Sequence, residues 1–588
     1  IVSTTSGRSL LSKVTEYGRN AVITNGIVKS GTKLPSYQFT YKHDVFDQKK
    51  VSIPYRNIPH NLTSTKVTDL NGDHIDDLIG RIKHRVTYRS DDVTRHSSSS
   101  SSSLPQGARY WLYIKRSGAS KKPQIKATYA YSITTCTERG SGEGPDLCST
   151  KSASTTEGGL YADTTRIADF DGDGFDDIIT DHRQVMSRAE DQKWSNVKGL
   201  LIADFNGDGR ADLGDIDPQK RDIDIRLSNG TSGFISKFTT PKFYGALYGD
   251  YNGDGLTDVL YSKSGHKRQI YYSTGLRLAA GPIVHYSAFG DIHSNGRLVA
   301  DANGDGRSDY IGNRKQDHTR LYLSRGDTLL QYHTEGHGDL IRDYPTAFMA
   351  DIDGDGINEF VTHRKKVTSG FDGRATKLIS ERPDMLVGVV LPSGGQLSAS
   401  YTTYGGDPED ERWFPPVLTV LASLTEKPNS SQAFTTRFAY SGGRWDFDNR
   451  RFAGFKKIIT TLPKLAGETK APTVETTYRQ DVSSVGKIAQ RIWKDGNGTI
   501  LRKQVEEYST DNSKLPYTSL NTASLSYTYD EGVERVQKTT RIFNSYGQAK
   551  YRTNHGDTAK SGDERTYTRW SYPNKDKYII NKWAVEAI

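Results

Sequence analysis

Short runs of apolar and β-branched residues recur along the chain, and turn residues separate them. Examples are residues 223–230, 268–275 and 320–326, each of which ends on a glycine. Runs of this length with Gly, Asn or Ser at their ends are typical of β-strands rather than helices. No stretch approaches the roughly 18 consecutive apolar residues of a membrane-spanning helix. The pattern predicts an all-β protein with many turns and no membrane span.

One acidic motif of nine residues recurs six times. The copies, called loops 1 to 6 below, are residues 69–77, 169–177, 204–212, 250–258, 301–309 and 351–359. Asp, Asn or Glu stands at positions 1, 3, 5 and 9, and glycine is usual at positions 4 and 6. Strand-like runs precede and follow each copy, so each loop is predicted to join the two strands of a hairpin.

Carboxylate, amide and carbonyl oxygens in a flexible loop suit Ca²⁺ better than Mg²⁺ or a transition metal. Position 7 varies between copies, as expected if it contributes only its carbonyl. The predicted ligands are Asp69, Asn71, Asp73, Ile75 and Asp77; Asp169, Asp171, Asp173, Phe175 and Asp177; Asp204, Asn206, Asp208, Arg210 and Asp212; Asp250, Asn252, Asp254, Leu256 and Asp258; Asp301, Asn303, Asp305, Arg307 and Asp309; and Asp351, Asp353, Asp355, Ile357 and Glu359.

Electrostatics favour bound cations in these loops. The acidic ligands carry three or four negative charges in each loop, 20 in all, and such carboxylates repel each other without a cation. We therefore expect about six Ca²⁺ ions, with loop 1 the most divergent because His74 replaces the glycine. The alternative is six acidic turns that use Asp and Asn only for turn geometry. An EF-hand is not expected, since it needs a Glu at position 12 and none of the copies has one.

The repeated loops resemble the FG-GAP/VCBS repeats of integrin-α-like proteins over residues 50–383. The resemblance implies a β-propeller of six blades, with seven as the alternative because loops 1 and 2 begin 100 residues apart (69 and 169). We expect an insertion at about 90–160 in that interval. It contains the polyserine run 97–103 and also Cys136 and Cys148, whose closeness in sequence predicts one disulfide, with two free thiols as the alternative.

Residues 384–588 lack the acidic motif and are rich in Tyr and Gly. The segment Arg-Arg-Phe-Ala-Gly-Phe at 450–455, together with the repeats before it, resembles Tc-toxin B components and related Rhs (YD-repeat) proteins. Residues 1–49 resemble the β segment that leads into that family's propeller. The resemblance implies a flanking antiparallel β-sheet shell over 384–588. The propeller would dock onto or gate a protein partner, either a translocation subunit or a receptor, and the remaining Rhs shell would enclose a toxic C-terminal domain.

Composition narrows the functional classes. The net charge is +9, but Lys and Arg are scattered rather than clustered, so nucleic-acid binding is not expected. No zinc-protease, nucleotide-binding or nucleophile-elbow motif occurs, and we expect a non-enzymatic, secreted scaffold. The chain does not begin with Met and is expected to be part of a longer protein. The alternatives are an extracellular adhesion or glycan-binding protein and a polysaccharide-active enzyme.

Overall fold

A computed structural model describes most of the chain. The described residues are 1–3, 6–42, 46–51, 62–68, 77–83, 110–115, 130–137, 147–154, 166–172, 177–179, 184–186, 191–193, 201–216, 222–231, 233–241, 246–263, 267–285, 298–314, 318–332, 348–363, 373–379, 382–404, 417–428, 432–446, 451–464, 467–530, 532–571, 577 and 583–587. Within these ranges the chain forms strands and no helix, so the predicted all-β class is confirmed. No helix in them is long and apolar enough to cross a membrane.

The strands divide into three stretches along the chain. The first contains β1 (Lys13–Val14), β2 (Val22–Thr24), β3 (Ile27–Ser30) and β4 (Tyr37–Tyr41). The second contains β5 (Phe46–Val51), β6 (Leu62–Thr68), β7 (Asp77–Lys83), β8 (Tyr110–Lys115), β9 (Ala130–Thr137), β10 (Leu147–Ser154), β11 (Arg166–Ala168), β12 (Asp177–Ile179), β13 (Gln184–Met186), β14 (Asp191–Lys193), β15 (Leu201–Ala203), β16 (Asp212–Ile216), β17 (Asp222–Ser228), β18 (Phe234–Pro241), β19 (Leu247–Gly249), β20 (Asp258–Lys263), β21 (Lys267–Ser273), β22 (Leu278–His285), β23 (Leu298–Ala300), β24 (Asp309–Arg314), β25 (His318–Ser324), β26 (Leu329–Tyr332), β27 (Phe348–Ala350), β28 (Glu359–His363) and β29 (Gly373–Ile379). The third contains β30 (Leu386–Val390), β31 (Gln396–Tyr404), β32 (Leu418–Lys427), β33 (Phe434–Asp446), β34 (Arg451–Thr461), β35 (Thr473–Tyr478), β36 (Ile488–Lys494), β37 (Ile500–Asp511), β38 (Thr518–Asp530), β39 (Val533–Phe543), β40 (Ala549–Asp557), β41 (Arg565–Ser571) and β42 (Trp583–Ala587).

The chain forms two compact units. The first comprises Ile1–Leu10 and Lys42–Met385, and the second comprises Leu11–Tyr41 and Leu386–Ile588. The N-terminal 49 residues, which the sequence analysis treats as one segment, are thus divided between the two units.

The first unit is a series of small antiparallel sheets. Four of them have four strands in chain order or nearly so: β11–β14, β15–β18, β19–β22 and β23–β26. A three-stranded sheet, β6–β8, precedes them, and the hairpin β9–β10 lies between it and β11. The predicted insertion at about 90–160 therefore includes β8 and this hairpin, while the polyserine run 97–103 lies outside the described residues.

The last sheet of the first unit takes its fourth strand from the other end of the unit. Its order is β27–β28–β29–β5, and Lys50 pairs with Thr376. The first strands of several sheets also contact one another: β19 contacts β23, β23 contacts β27, and β27 of the last sheet contacts β6 of the first. The sheets are therefore joined where their first strands meet, and β5 joins the N-terminal part of the unit to its last sheet.

Apolar side chains between the sheets form the core of the first unit. One cluster includes Leu321, Leu323 and Phe360, all fully or almost fully buried. Another joins Phe170 to Phe234, whose ring centroids are 5.6 Å apart in an edge-to-face arrangement. These clusters bury residues from neighbouring sheets together, which holds each sheet against the next.

The second unit contains one long antiparallel sheet of 15 strands. Its order is β1–β4–β30 and then every strand in turn from β31 to β42, while β2 and β3 form a separate hairpin. Residues 451–455 of the segment singled out in the sequence begin β34, and Phe455 packs against Tyr404 and Tyr440 with ring centroids 5.0 and 4.7 Å apart. The aromatic residues of this segment therefore pack between strands of the sheet.

Candidate functional site

All six acidic loops connect two antiparallel strands, as the sequence analysis predicts. In each copy the residue before position 1 ends one strand and the position-9 residue begins the next, at Asp77, Asp177, Asp212, Asp258, Asp309 and Glu359. In loop 3, for example, Ala203 pairs with Asp212 across the hairpin. Loop residues 69–76, with Asp69, Asn71, Asp73 and Ile75, and 173–176, with Asp173 and Phe175, lie outside the described residues.

The position-1 carboxylate organises the loop. In loop 3, Asp204 Oδ1 accepts hydrogen bonds from the backbone N–H of Gly207 (2.8 Å) and Asp208 (3.3 Å), and its Oδ2 accepts one from Gly209 (2.7 Å). Both glycines have φ near +72°, a conformation that side chains with a Cβ disfavour. Asp250, Asp301 and Asp351 accept the corresponding bonds in loops 4 to 6.

Positions 3 and 5 turn their oxygens toward the inside of the same loop. In loop 5, Asn303 Oδ1 accepts the N–H of Asp305 (3.0 Å), and Asp305 Oδ1 accepts the N–H of Arg307 (2.9 Å). The second carboxylate oxygen of Asp305 is buried and has no hydrogen-bond partner among the described residues. Asp305 is only 5% exposed, and burial, then the neighbouring Asp301, raise its pKa to about 6. A buried, unpaired carboxylate oxygen favours a cation at this point.

The position-9 carboxylate is fully buried and bridges three parts of the chain. In loop 4, Asp258 Oδ2 accepts the N–H of Tyr251 (3.0 Å) and Oδ1 accepts the N–H of Ser273 on β21 (2.9 Å). Burial raises the pKa of Asp258 to about 7 despite these two bonds. Asp212 and Asp309 have equivalent partners in loops 3 and 5.

A buried serine on the third strand links each of these loops to the preceding one. Ser273 Oγ donates to the backbone oxygen of Phe205 (2.7 Å), and Ser228 and Ser324 make the same contact to Phe170 and Tyr251. These serines are not among the site residues predicted from the sequence. The signal was a Ser-x-Gly at 228–230, 273–275 and 324–326, which begins 15 or 16 residues after position 9 of its own loop.

Backbone contacts also join successive loops. The N–H at position 8 donates to the position-1 carbonyl of the preceding loop, from Ala211 to Asp169 and from Thr257 to Asp204, both at 2.7 Å. The position-7 side chain lies beside the position-4 glycine of the preceding loop. A Cβ on Gly207 would come within 2.8 Å of Leu256 Cδ2. Glycine at position 4 therefore suits the backbone conformation and leaves room for this side chain, which would have to move if a Cβ were present.

Loop 6 differs from loops 3 to 5 because a lysine lies among its acidic residues. Lys377 Nζ is 3.0 Å from Asp353 Oδ2 and 3.3 Å from Glu359 Oε1, and it also contacts Asp355 Oδ2. One carboxylate oxygen each of Asp351, Asp353 and Glu359 lie within 4.8 Å of one another. Burial raises the pKa of Glu359 to about 8.

The structure brings the two cysteines opposite each other. β9 and β10 pair so that Cys136 faces Cys148 across the hairpin. Directly opposed residues of antiparallel strands have Cα atoms about 4.5–5.5 Å apart, within the range that a disulfide spans. The register is compatible with the disulfide, which stays a prediction.

Comparisons with known proteins identify a toxin-like fold. Residues 343–486 match the family described as "Insecticide toxin TcdB middle/N-terminal region". A search of curated proteins finds no match. Among solved structures, the Photorhabdus luminescens Tc holotoxin pore aligns over 95% of this chain and 28% of its own, with a TM-score of 0.60 and 13% identity.

Two further structures are similar. The complex TcdB2-TccC3 aligns over 96% of this chain and 30% of its own, with a TM-score of 0.52 and 13% identity. TcdB2-TccC3-Cdc42 aligns over 96% and 31%, with a TM-score of 0.52 and 13% identity. The chain thus spans less than a third of the length of these proteins. Residues 343–486 are similar to the TcdB middle/N-terminal region, and the described chain shares its fold with part of a Tc toxin.

Proposed function

We propose that the chain is a non-catalytic scaffold portion of a secreted, Tc-B-type toxin. The observation that carries this proposal is a fold similar to the Tc holotoxin pore over 95% of the chain. The family match at 343–486 supports it independently, because it covers loop 6 and the strands β30 to β35. A scaffold role also agrees with the absence of a recognisable catalytic motif in the sequence.

The first unit is proposed to be a six-bladed β-propeller. Six sheets each contain one acidic hairpin loop between their first two strands, with the hairpin β9–β10 between the first and second of them in the sequence, and the first strands of several sheets are neighbours. β5 would close the ring by completing the last blade, since it adds the outermost strand to β27–β29. The second unit, with its sheet of 15 strands, would be the beginning of a shell.

Calcium ions are proposed to stabilise the propeller. Loop 5 is a candidate site, since Asp301, Asn303, Asp305 and Asp309 stand at the predicted ligand positions and Asp305 Oδ2 is buried without a hydrogen bond among the described residues. Position 7 would add its carbonyl. Ca²⁺ would neutralise these carboxylates, and its binding free energy would then count toward folding.

Chelation tests the calcium proposal. One ion at a free concentration of 100 times its dissociation constant stabilises the folded state by about 2.7 kcal/mol. At an unfolding entropy of about 2.1 cal/mol/K per residue, a unit of about 350 residues shifts by roughly 1.3 °C per kcal/mol, so EDTA should lower the melting temperature by roughly 3–4 °C per site. Asp305→Asn should lose part of this calcium dependence, whereas Asp327→Asn, at an exposed turn, should keep all of it. A melting temperature that EDTA does not change would refute the proposal.

A protein partner of the TccC3 type is proposed because the similar structures are complexes of TcdB2 with TccC3. The test is co-expression of the chain, in its natural full-length context, with such a partner, followed by size-exclusion chromatography. We expect one complex in which the partner's terminal domain resists protease. If the chain instead binds immobilised glycans and forms no such complex, the adhesion alternative replaces the toxin scaffold.

A further inference from the structure

The centre of loop 6 already contains a positive charge that belongs to the protein. The Lys377 ammonium contacts the carboxylates at positions 3, 5 and 9 of the loop, which are three of the four side chains predicted to bind a metal there. The lysine side chain is 6% exposed. The ammonium therefore occupies a buried position among the same oxygens that a Ca²⁺ ion would use.

Loops 3, 4 and 5 have uncharged residues at the equivalent position. In loop 6, the pairing of the second and third strands aligns Thr376 with Phe360, the residue that follows position 9. Lys377 is therefore the next residue of the third strand in the direction of position 9. The same register places Leu227, Tyr272 and Leu323 there in loops 3, 4 and 5. Lys377 is thus a substitution specific to this loop among the four whose third strand is described at this point.

The position-9 residue changes together with the lysine. In loops 3 to 5 one oxygen of the position-9 Asp accepts the N–H of a third-strand serine. In loop 6 the residue is Glu359, whose Oε2 accepts the N–H of Ile352 (2.9 Å) while Oε1 faces Lys377. In loop 6, the longer side chain of Glu359 and its contact with Lys377 together take the place of the hydrogen bond from the third-strand serine.

We propose that Lys377 is the resident cation of loop 6 and that this loop excludes Ca²⁺, unlike loop 5. The inference rests on the proposed calcium binding of the other loops. A divalent ion entering loop 6 would either lie about 3 Å from a like charge or displace a buried ammonium from three carboxylates, and both are unfavourable. Loop 6 would therefore keep its structure when calcium is withdrawn.

Hydrogen exchange of the unmodified protein tests the proposal directly. Loops 5 and 6 are matched, because Asp301 and Asp351 accept the same backbone N–H groups at positions 4, 5 and 6. From a starting free Ca²⁺ of 100 times its dissociation constant, EDTA should accelerate exchange in loop 5 by up to about 100-fold. Loop 6 should change by less than about twofold, since an ion that does not bind contributes nothing.

The outcomes separate the two proposals. Similar acceleration in both loops would overturn the role of Lys377 while supporting calcium binding. No acceleration in either loop would refute calcium binding itself, and the inference would fall with it.

A variant supplies the converse test. Lys377→Met removes the charge and keeps an unbranched side chain, and it should bind one more Ca²⁺ per chain than the unmodified protein, measured by atomic emission after equilibrium dialysis. Exchange in loop 6 should then become sensitive to EDTA. Lys457→Met removes a lysine that pairs with Glu475 in the second unit (3.1 Å) and should leave the calcium count unchanged. An unchanged count in folded Lys377→Met would contradict the proposal.

Discussion

The buried serine that links successive loops gives a sharp prediction. Ser273 is 3% exposed, and its hydroxyl donates to the backbone oxygen of Phe205 at 2.7 Å and accepts the N–H of Gly275 at 3.3 Å. Ser273→Ala removes both contacts and leaves a buried carbonyl without its donor. Leaving one buried group unsatisfied costs about 1–3 kcal/mol. At about 1.4 kcal/mol per factor of ten, exchange of the β21 amides should accelerate roughly 5- to 150-fold.

The adjacent residue provides the control. Thr274 is exposed, and its hydroxyl donates to the backbone oxygen of Arg277 at 3.1 Å within the same turn. Thr274→Ala should therefore change stability by no more than about 0.5 kcal/mol. Hydrogen-exchange mass spectrometry, with Ca²⁺ held constant, compares the exchange rates of the β21 amides in the two variants. If Ser273→Ala and Thr274→Ala exchanged at the same rate, the serine would not link the sheets energetically.

Three other predictions concern single residues. Phe234→Ala should lower stability by about 3–5 kcal/mol, because Phe234 is 1% exposed and packs edge-to-face on Phe170; a urea midpoint equal to that of the unmodified protein would contradict this. Gly255→Ala should cost about 1–2 kcal/mol from its φ of +83° alone, since a Cβ there meets no atom within 4 Å; an unchanged melting temperature would show that the loop can relax. The hydrogen bond from Lys494 lowers the pKa of Glu475, so this pair should stabilise the fold above pH 4.5 and lose that contribution as pH falls through the lowered pKa; Glu475→Gln should remove this part of the pH dependence of the melting temperature.

The hairpin loops could be predicted from sequence because their determinants are local. Positions 1, 4, 6 and 9 lie within nine residues, and the hydrogen bonds of Asp204 and its equivalents to the loop backbone require that spacing. The all-β class followed from the same pattern of short strands and turns.

The contacts between loops could not be read from the motif. Lys377 lies on a third strand, 18 residues after Glu359, and only the register of β28 with β29 brings it to the loop. The pairing of β5 with β29 joins residues more than 320 positions apart. Nothing in the sequence of β5 itself identifies β29 as its partner. The Ser-x-Gly repeat was visible in the sequence, but its role depends on a carbonyl in the preceding sheet.

The pairing of β5 with β29 has a consequence for the order of folding during synthesis. At about 5–20 residues per second, β5 leaves the ribosome roughly 15–65 s before β29 is made. During that time its backbone lacks its native partner and could pair with a foreign strand. The sequence of β5, Phe-Asp-Gln-Lys-Lys-Val, carries three charged residues in six, and charge on an unpaired strand discourages such pairing. The charged residues of β5 thus protect the nascent chain against aggregation until β29 is made.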